Sequence, residues 1–145
     1  MTIKASDVAR ILGGERVLRR RVRSVNDLRE VVEAGLPVES LRRAVEAAAG
    51  EGRDANELLH GIVPKTTLLR RHRLLNVEES QRLERLARVV ALANEVWEDP
   101  ERSREFLFGV QPSLGGTRPV DLARSELGAR QVEELLYQME YSLPV

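Results

Sequence analysis

Cysteine is absent from all 145 residues, which excludes a disulfide framework, a thiol nucleophile and any thiolate metal site. Histidine occurs only at His60 and His72, and no paired acids sit in an apolar setting, so the chain has little to catalyse with and little to hold a metal. A protein that is not an enzyme, with no cofactor and no metal site, is expected. Aromatic residues are scarce: two Phe, two Tyr and one Trp. The core must therefore be built of Leu, Val and Ala, which favours packed helices. No apolar run reaches the ~20 residues that span a membrane, and the Met1 end lacks the apolar stretch of a signal peptide. A soluble cytoplasmic chain without membrane contact is expected.

What is present is 42% apolar residues, enough for a real core in one ordinary domain or two small ones. The formal net charge of zero hides an asymmetry. Residues 1 to 90 carry 18 Lys+Arg against 13 Asp+Glu, and residues 91 to 145 carry 5 against 10. A basic front and an acidic rear suggest two partners of different character.

The dominant pattern runs from Val77 to Trp97. Leu83, Leu86, Ala87, Val90, Asn94 and Trp97 recur at helical spacing, while Val89, Leu92, Ala93 and Val96 form a second stripe. The middle of this helix is apolar almost all round, so it is expected to be covered from two directions. Asn76 with Glu79 gives a capped start, and Asp99-Pro100 a stop. Its 21 residues span roughly 30 Å, enough to be the shared wall of two small bundles.

Ahead of it, Ile3 to Leu12 reads as a short helix capped by Ser6 or Asp7 and ended by Gly13-Gly14. Glu15 to Arg23 holds five Arg and one acid, and its Val17, Leu18 and Val22 permit a short strand or an extended arm. Such an arm fits a nucleic-acid backbone or a subunit-pairing role, or it is simply a solvated face. Ser24 caps a helix over Val25 to Glu33 with Leu28, Val31 and Val32 facing in, and Gly35-Leu36-Pro37 breaks it. Val38 to Ala49 follows, with Leu41, Ala44, Val45 and Ala48 inward, and Gly50-Glu51-Gly52 ends it. Asp54 caps a short helix with Leu58 and Leu59 inward, Gly61-Ile62-Val63 is a tight turn, and Pro64 opens a helix from Lys65 to Arg73 that contains no acid.

A short helix, a glycine-containing turn and a short basic helix form the pattern of a helix-turn-helix, whose second helix enters the major groove. Lys65, Thr66 and Thr67 lie at the helix start, where free N–H groups favour phosphate. Arg70, Arg71 and Arg73 follow, with guanidinium forks suited to phosphate or guanine edges. A bare surface helix is the competing reading. His72 is read as a polar surface residue rather than a ligand.

In the rear half a helix runs from after Asp99-Pro100 to about Phe108 with Phe106 and Leu107 inward. Gly115-Gly116 permits a sharp turn, Thr117 can cap, and Pro119 begins a short helix whose Leu122 points back in. Without a preceding strand or a P-loop pattern, the Gly pair reads as a structural turn rather than a phosphate cradle. The last helix, Ala129 to Glu140, puts Val132, Leu135, Leu136 and Met139 on one face, and Tyr141 to Val145 is an apolar tail with no charged side chain.

Five stretches in order resemble a known family: Gly35-Leu36-Pro37, Pro64 through Arg71, Leu75 through Leu83, Leu114-Gly115-Gly116 with Pro119 and Asp121-Leu122, and Gly128 with Val132 and Leu136. From about residue 15 to 142 the chain is similar to the Xre/MbcA/ParS antitoxins. The resemblance departs from the family at Phe106 (commonly Trp), at Ser125 (commonly Thr) and at Tyr141-Ser142 (often Tyr-Gly). It implies an all-α fold in which an N-terminal Xre-like helix-turn-helix bundle (1–76) is joined by a long helix (77–97) to a small C-terminal helical toxin-binding domain (98–145). It also implies a type II antitoxin, partner of a RES-domain toxin that acts on NAD, repressing its own operon by DNA binding. Operator DNA, a homodimer and a hetero-oligomer with toxin are the partners expected. Toxin-binding residues are expected at Leu114, Gly115, Gly116 and Arg118, and along Tyr141, Ser142, Leu143, Pro144 and Val145, the tail serving as a plug or folding back over Leu136 and Met139. The rival is a stand-alone helix-turn-helix regulator whose rear half dimerises or senses a ligand.

Overall fold

Local signals start most of the helices. Ser24 Oγ accepts the Asp27 N–H at 3.1 Å and opens α3 (Val25–Ala34). Asn76 and Glu79 close a reciprocal pair, each side chain accepting the other's backbone N–H at 2.8 Å, and open α7 (Val77–Trp97). Asp99 accepts the Glu101 N–H at 3.0 Å and Pro100 supplies the first residue of α8 (Pro100–Phe108). The computed structural model describes residues 3–142. In chain order its other helices are α1 (Ala5–Ile11), α2 (Gly14–Leu18), α4 (Val38–Ala49), α5 (Arg53–Ile62), α6 (Lys65–Arg70), α9 (Pro119–Leu122) and α10 (Glu126–Ser142), with a single 3-10 turn at Pro112–Leu114. The described residues form an all-α protein without a strand, and no helix among them is long and apolar enough to cross a membrane.

The long helix is the shared wall its sequence pattern predicts. Leu83, Leu86, Ala87, Val89, Val90 and Ala93 are fully buried. α7 packs against α1, α3, α4 and α5 of the front and against α8 and α10 of the rear. Leu12, Leu36, Leu41 and Ile62 of the front and Leu107 and Leu136 of the rear belong to one continuous core with it. Phe106 is buried with its ring 6.0 Å from that of Trp97.

Several local expectations need correction. The Glu15 to Arg23 segment is neither a strand nor a fully extended arm, because Gly14–Leu18 folds as α2 around buried Leu18. Arg19 then takes a left-handed backbone (φ 57°) and its N–H bonds the Glu15 carbonyl, which ends the helix. The stretch beyond has no regular structure and is pinned by buried Val22 and by Arg20, which pairs with Asp27 at 2.9 Å and Glu30 at 3.2 Å. Lys4, not Ser6 or Asp7, caps α1, and Asp7 accepts its N–H at 3.2 Å. Gly52 rather than Asp54 precedes α5, which continues through Gly61 and Ile62 because Ile62 and Val63 are both buried. Arg118, not Thr117, caps α9. The last helix begins at Glu126, before Ala129, since Ser125 Oγ already accepts the Gly128 N–H at 3.0 Å.

Candidate functional site

The front site is built from α5, a two-residue connection and α6. Val63 is buried and extended, Pro64 sets the entry, and α6 starts at Lys65. Leu68 is the side chain that seats α6, half-buried against the core. Leu69 is 74% exposed, on the outer side with Lys65, Thr66 and Arg70. Thr67 is half-buried. The helix stops at Arg70, short of the expected Arg73, because Arg71 turns to extended backbone. Arg73 lies beyond the helix, exposed, and its carbonyl accepts the Val38 N–H at 2.9 Å. With the Leu75 N–H on the Leu36 carbonyl at 2.8 Å, this ties the exit of α6 to the start of α4.

Arg71 is held from within the fold. Its guanidinium is engaged by Glu79, Nε to Oε1 at 2.9 Å and Nη2 to Oε2 at 3.2 Å. Burial pushes the Glu79 carboxyl up, but the Arg71 hydrogen bond, the Asn76 N–H and the charges of Arg71 and Arg82 outweigh it and hold the group below the ordinary glutamate range. Arg82 also donates from Nε to the Ile62 carbonyl at 3.1 Å. The long helix thus holds the end of α5 and the exit of α6, and leaves Lys65, Thr66, Leu69, Arg70 and Arg73 exposed.

In the rear half, Gly115 (φ 68°) and Gly116 (φ 76°) make the turn their sequence predicts, and both are exposed. The turn is closed by the Gln111 N–H on the Thr117 carbonyl at 3.3 Å and the Gly116 N–H on the Gln111 carbonyl at 3.0 Å. Two of the expected contact residues hold this loop from within. Leu114 is buried at 8% exposure. Arg118 grips Asp121 through two hydrogen bonds of 2.8 and 3.1 Å while its guanidinium lies 5.6 Å from the Phe108 ring centroid. Hydrogen bonding to Asp121 raises the Arg118 pKa, and the same bonds lower that of Asp121. Tyr141 is 63% exposed, its ring stacked 6.5 Å from Tyr137. Ser142 ends α10, and Leu143, Pro144 and Val145 lie outside the described residues, as does the choice between plug and fold-back.

The two sites abut. Arg85 Nη2 donates to the Arg124 carbonyl at 2.8 Å, and the Arg124 guanidinium lies against Gly61 at the end of α5. These links, like the Arg71–Glu79 pair, tie residues between helices to a neighbouring helix and leave no periodic trace in the sequence. Among the described residues no group of three His, Asp or Glu side chains is placed to hold a metal.

Residues 27–88 match the antitoxin Xre-like helix-turn-helix domain, and residues 92–141 match the antitoxin Xre/MbcA/ParS C-terminal toxin-binding domain. The chain belongs to the Xre/MbcA/ParS antitoxin family. A curated protein of that family, Antitoxin Xre of Pseudomonas putida KT2440, is 32% identical over 81 residues, a match that covers 54% of this chain and 51% of the relative. The spans of the two family domains meet inside α7, so this antitoxin-family chain uses one helix in both.

Proposed function

We propose that the chain is a type II antitoxin that neutralises a cognate toxin through its rear half and represses its own operon through its front half. The division proposed is 1–76 for the DNA-reading region, 77–97 for the connecting helix and 98–145 for the toxin-binding region. The observation that carries this reading is the pairing of a toxin-binding domain match with an exposed, acid-free helix α6 in one chain. On DNA, Lys65, Thr66, Arg70 and Arg73 supply phosphate and base-edge contacts, with Thr67 beside them and Arg71 setting the position of the helix. The toxin is proposed to be a RES-domain protein that acts on NAD. Such a toxin must attract an anionic substrate with a basic pocket, and the acidic rear half is complementary in sign. On it, Gly115, Gly116 and Tyr141 are the exposed members of the proposed contact, while Leu114 and Arg118 shape the loop beneath them.

The test is co-expression with the product of the adjacent reading frame. The proposal expects co-purification, loss of NAD consumption in the complex, and protection of a palindromic operator by a dimer. A chain that protects the operator but neither binds nor inhibits its neighbour would instead be a stand-alone regulator.

A further inference from the structure

Beside α6 the front half carries a second concentration of positive charge, an open concavity of about 800 Å³ between the end of α2, the start of α4 and the Arg71 to Leu74 connection. Its two carboxylates are already engaged: Glu30 pairs with Arg20 at 3.2 Å, and Glu39 with Arg43 at 3.0 Å. Arg71 is held by Glu79. Arg16, Arg19, Arg42 and Arg73 line the same concavity, all four are exposed, and none has a carboxylate partner among the described residues. Four unpaired guanidiniums on one concave wall repel one another, and a polyanion with regularly spaced charges relieves that repulsion.

Arg19 adds an independent observation. It is one of two non-glycine residues with positive φ among the described residues, a conformation whose steric cost falls on an L-residue and not on glycine. Glycine would end α2 without that cost, yet the position holds an arginine whose side chain forms no ion pair within the described fold. Folding alone does not account for the choice.

We propose that Arg16, Arg19, Arg42 and Arg73 form a second, sequence-independent contact with duplex DNA, gripping the phosphate backbone beside the groove that α6 enters. This rests on the DNA reading given above. Duplex DNA fits better than an acidic protein face because the wall is continuous with α6 through Arg71 to Arg73, and guanidinium forks match phosphate in a bidentate manner. Arg16 and Arg19 precede residue 27, where the helix-turn-helix match begins, so the DNA-binding unit would extend toward the N-terminus beyond that domain.

The experiment compares the full chain with an Arg16→Gln/Arg19→Gly variant and with Arg70→Ala. Binding is measured by fluorescence anisotropy over a salt series, to the promoter fragment of its own gene and to an unrelated duplex of equal length. Because glycine suits the left-handed position, the double variant should melt no lower than the parent, so a binding defect is not a folding defect. It should weaken both duplexes by a similar factor, about tenfold at low salt, and flatten the slope of log K against log salt by about 0.9 for each phosphate that is no longer neutralised. Arg70→Ala should weaken the promoter fragment more than the unrelated duplex. A parent that binds neither duplex overturns the DNA reading itself. A parent that binds, with a double variant of unchanged affinity and slope, overturns only the second contact. A variant whose oligomeric state in sedimentation changes while its salt slope does not would make the wall a protein–protein surface and also overturn the proposal.

Discussion

Arg71 and Glu79 close two parallel hydrogen bonds across the junction of α6 and α7, and the same Glu79 carboxylate caps α7 by accepting the Asn76 N–H at 2.8 Å. One buried acid therefore starts the long helix and holds the end of the short one. The direction in which α6 presents Lys65, Thr66 and Arg70 depends on that carboxylate being charged. Arg70 and Arg71, adjacent and chemically alike, have different work: one is exposed on α6, the other is bound back onto the scaffold.

Separate alanine variants should show this. Arg70→Ala should change stability by no more than about 0.5 kcal/mol, as exposed substitutions do, while weakening operator binding. Arg71→Ala should lower the melting temperature. The sign of its pH dependence follows from Glu79, whose carboxyl is held below the ordinary range in the fold. A depressed folded pKa gives stability that is complete above the ordinary glutamate value and fades as pH falls through the folded value. The melting gap between parent and Arg71→Ala should thus be wide at pH 7 and narrow near pH 3. A gap that does not change with pH would mean that the pair is not what orients α6. Asn76→Ala, which removes the cap alone, should cost about 1 kcal/mol.

The shared wall predicts a different pattern. Leu86 is fully buried in α7, which faces front and rear helices alike. Leu86→Ala should cost about 2–5 kcal/mol and reduce hydrogen-exchange protection in α3 and α4 as well as in α10. Loss confined to one half would show that the two halves unfold independently.

The parts of this molecule that were legible in its sequence are those carried by periodicity and caps. Val77–Trp97 and Val38–Ala49 have the bounds their patterns imply, and Ser24, Asn76 and Asp99 cap where their residue types suggest. The basic short helix after α5 was legible too, as was the Gly115-Gly116 turn. What was not legible depends on where one side chain finds another. Nothing in the run from Glu15 to Arg23 signals that Arg19 will adopt a left-handed backbone and end a helix there. Arg71 looks like one more cation on a basic helix until the chain turns and brings it to Glu79, eight residues on. Leu114 and Arg118 sit in a loop, where contact residues are commonly sought, but one is buried and the other is bound to Asp121. Ser6, Asp54 and Thr117 have the chemistry of caps in helices whose starts are set by the packing around them.

Arg88 offers a second titration of opposite sign. Its Nε lies 2.8 Å from Glu133 and 3.7 Å from Glu84, and its Nη2 3.8 Å from Glu126, so one cation serves three carboxylates. Burial pushes the carboxyls of Glu84 and Glu133 above the ordinary range, the neighbouring acids add to it, and Arg88 only partly offsets it. A raised folded pKa gives stability that is present below the ordinary glutamate value and lost as pH rises through the folded value. Glu84→Gln should therefore melt higher than the parent at pH 7, with the difference shrinking at pH 4. A variant less stable at both values would show that the Glu84–Arg88 attraction outweighs the cost of burying the charge.

The corner between α9 and α10 gives the sharpest separation of the two proposed functions. At Gly128 an added Cβ would collide with the Leu122 carbonyl oxygen and press on Ser125 Oγ, the atom that accepts the Gly128 N–H and starts α10. The obstacle is backbone, so it cannot swing aside as the end of a flexible side chain would. Gly128→Ala must then shift the start of α10 against α9, at a cost of about 1–3 kcal/mol for overpacking. The displaced corner meets α7 at Arg85 and Arg88, beyond Glu79 and Arg82, whose links to Arg71 and Ile62 hold α6 and involve no atom of the corner. Gly128→Ala should weaken the complex with the co-expressed toxin while operator affinity and its salt slope stay within error of the parent. If operator binding fell in step with toxin binding, the corner would be coupled to the front half, and the route would run through Arg124, whose carbonyl is held by Arg85 and whose guanidinium lies against Gly61.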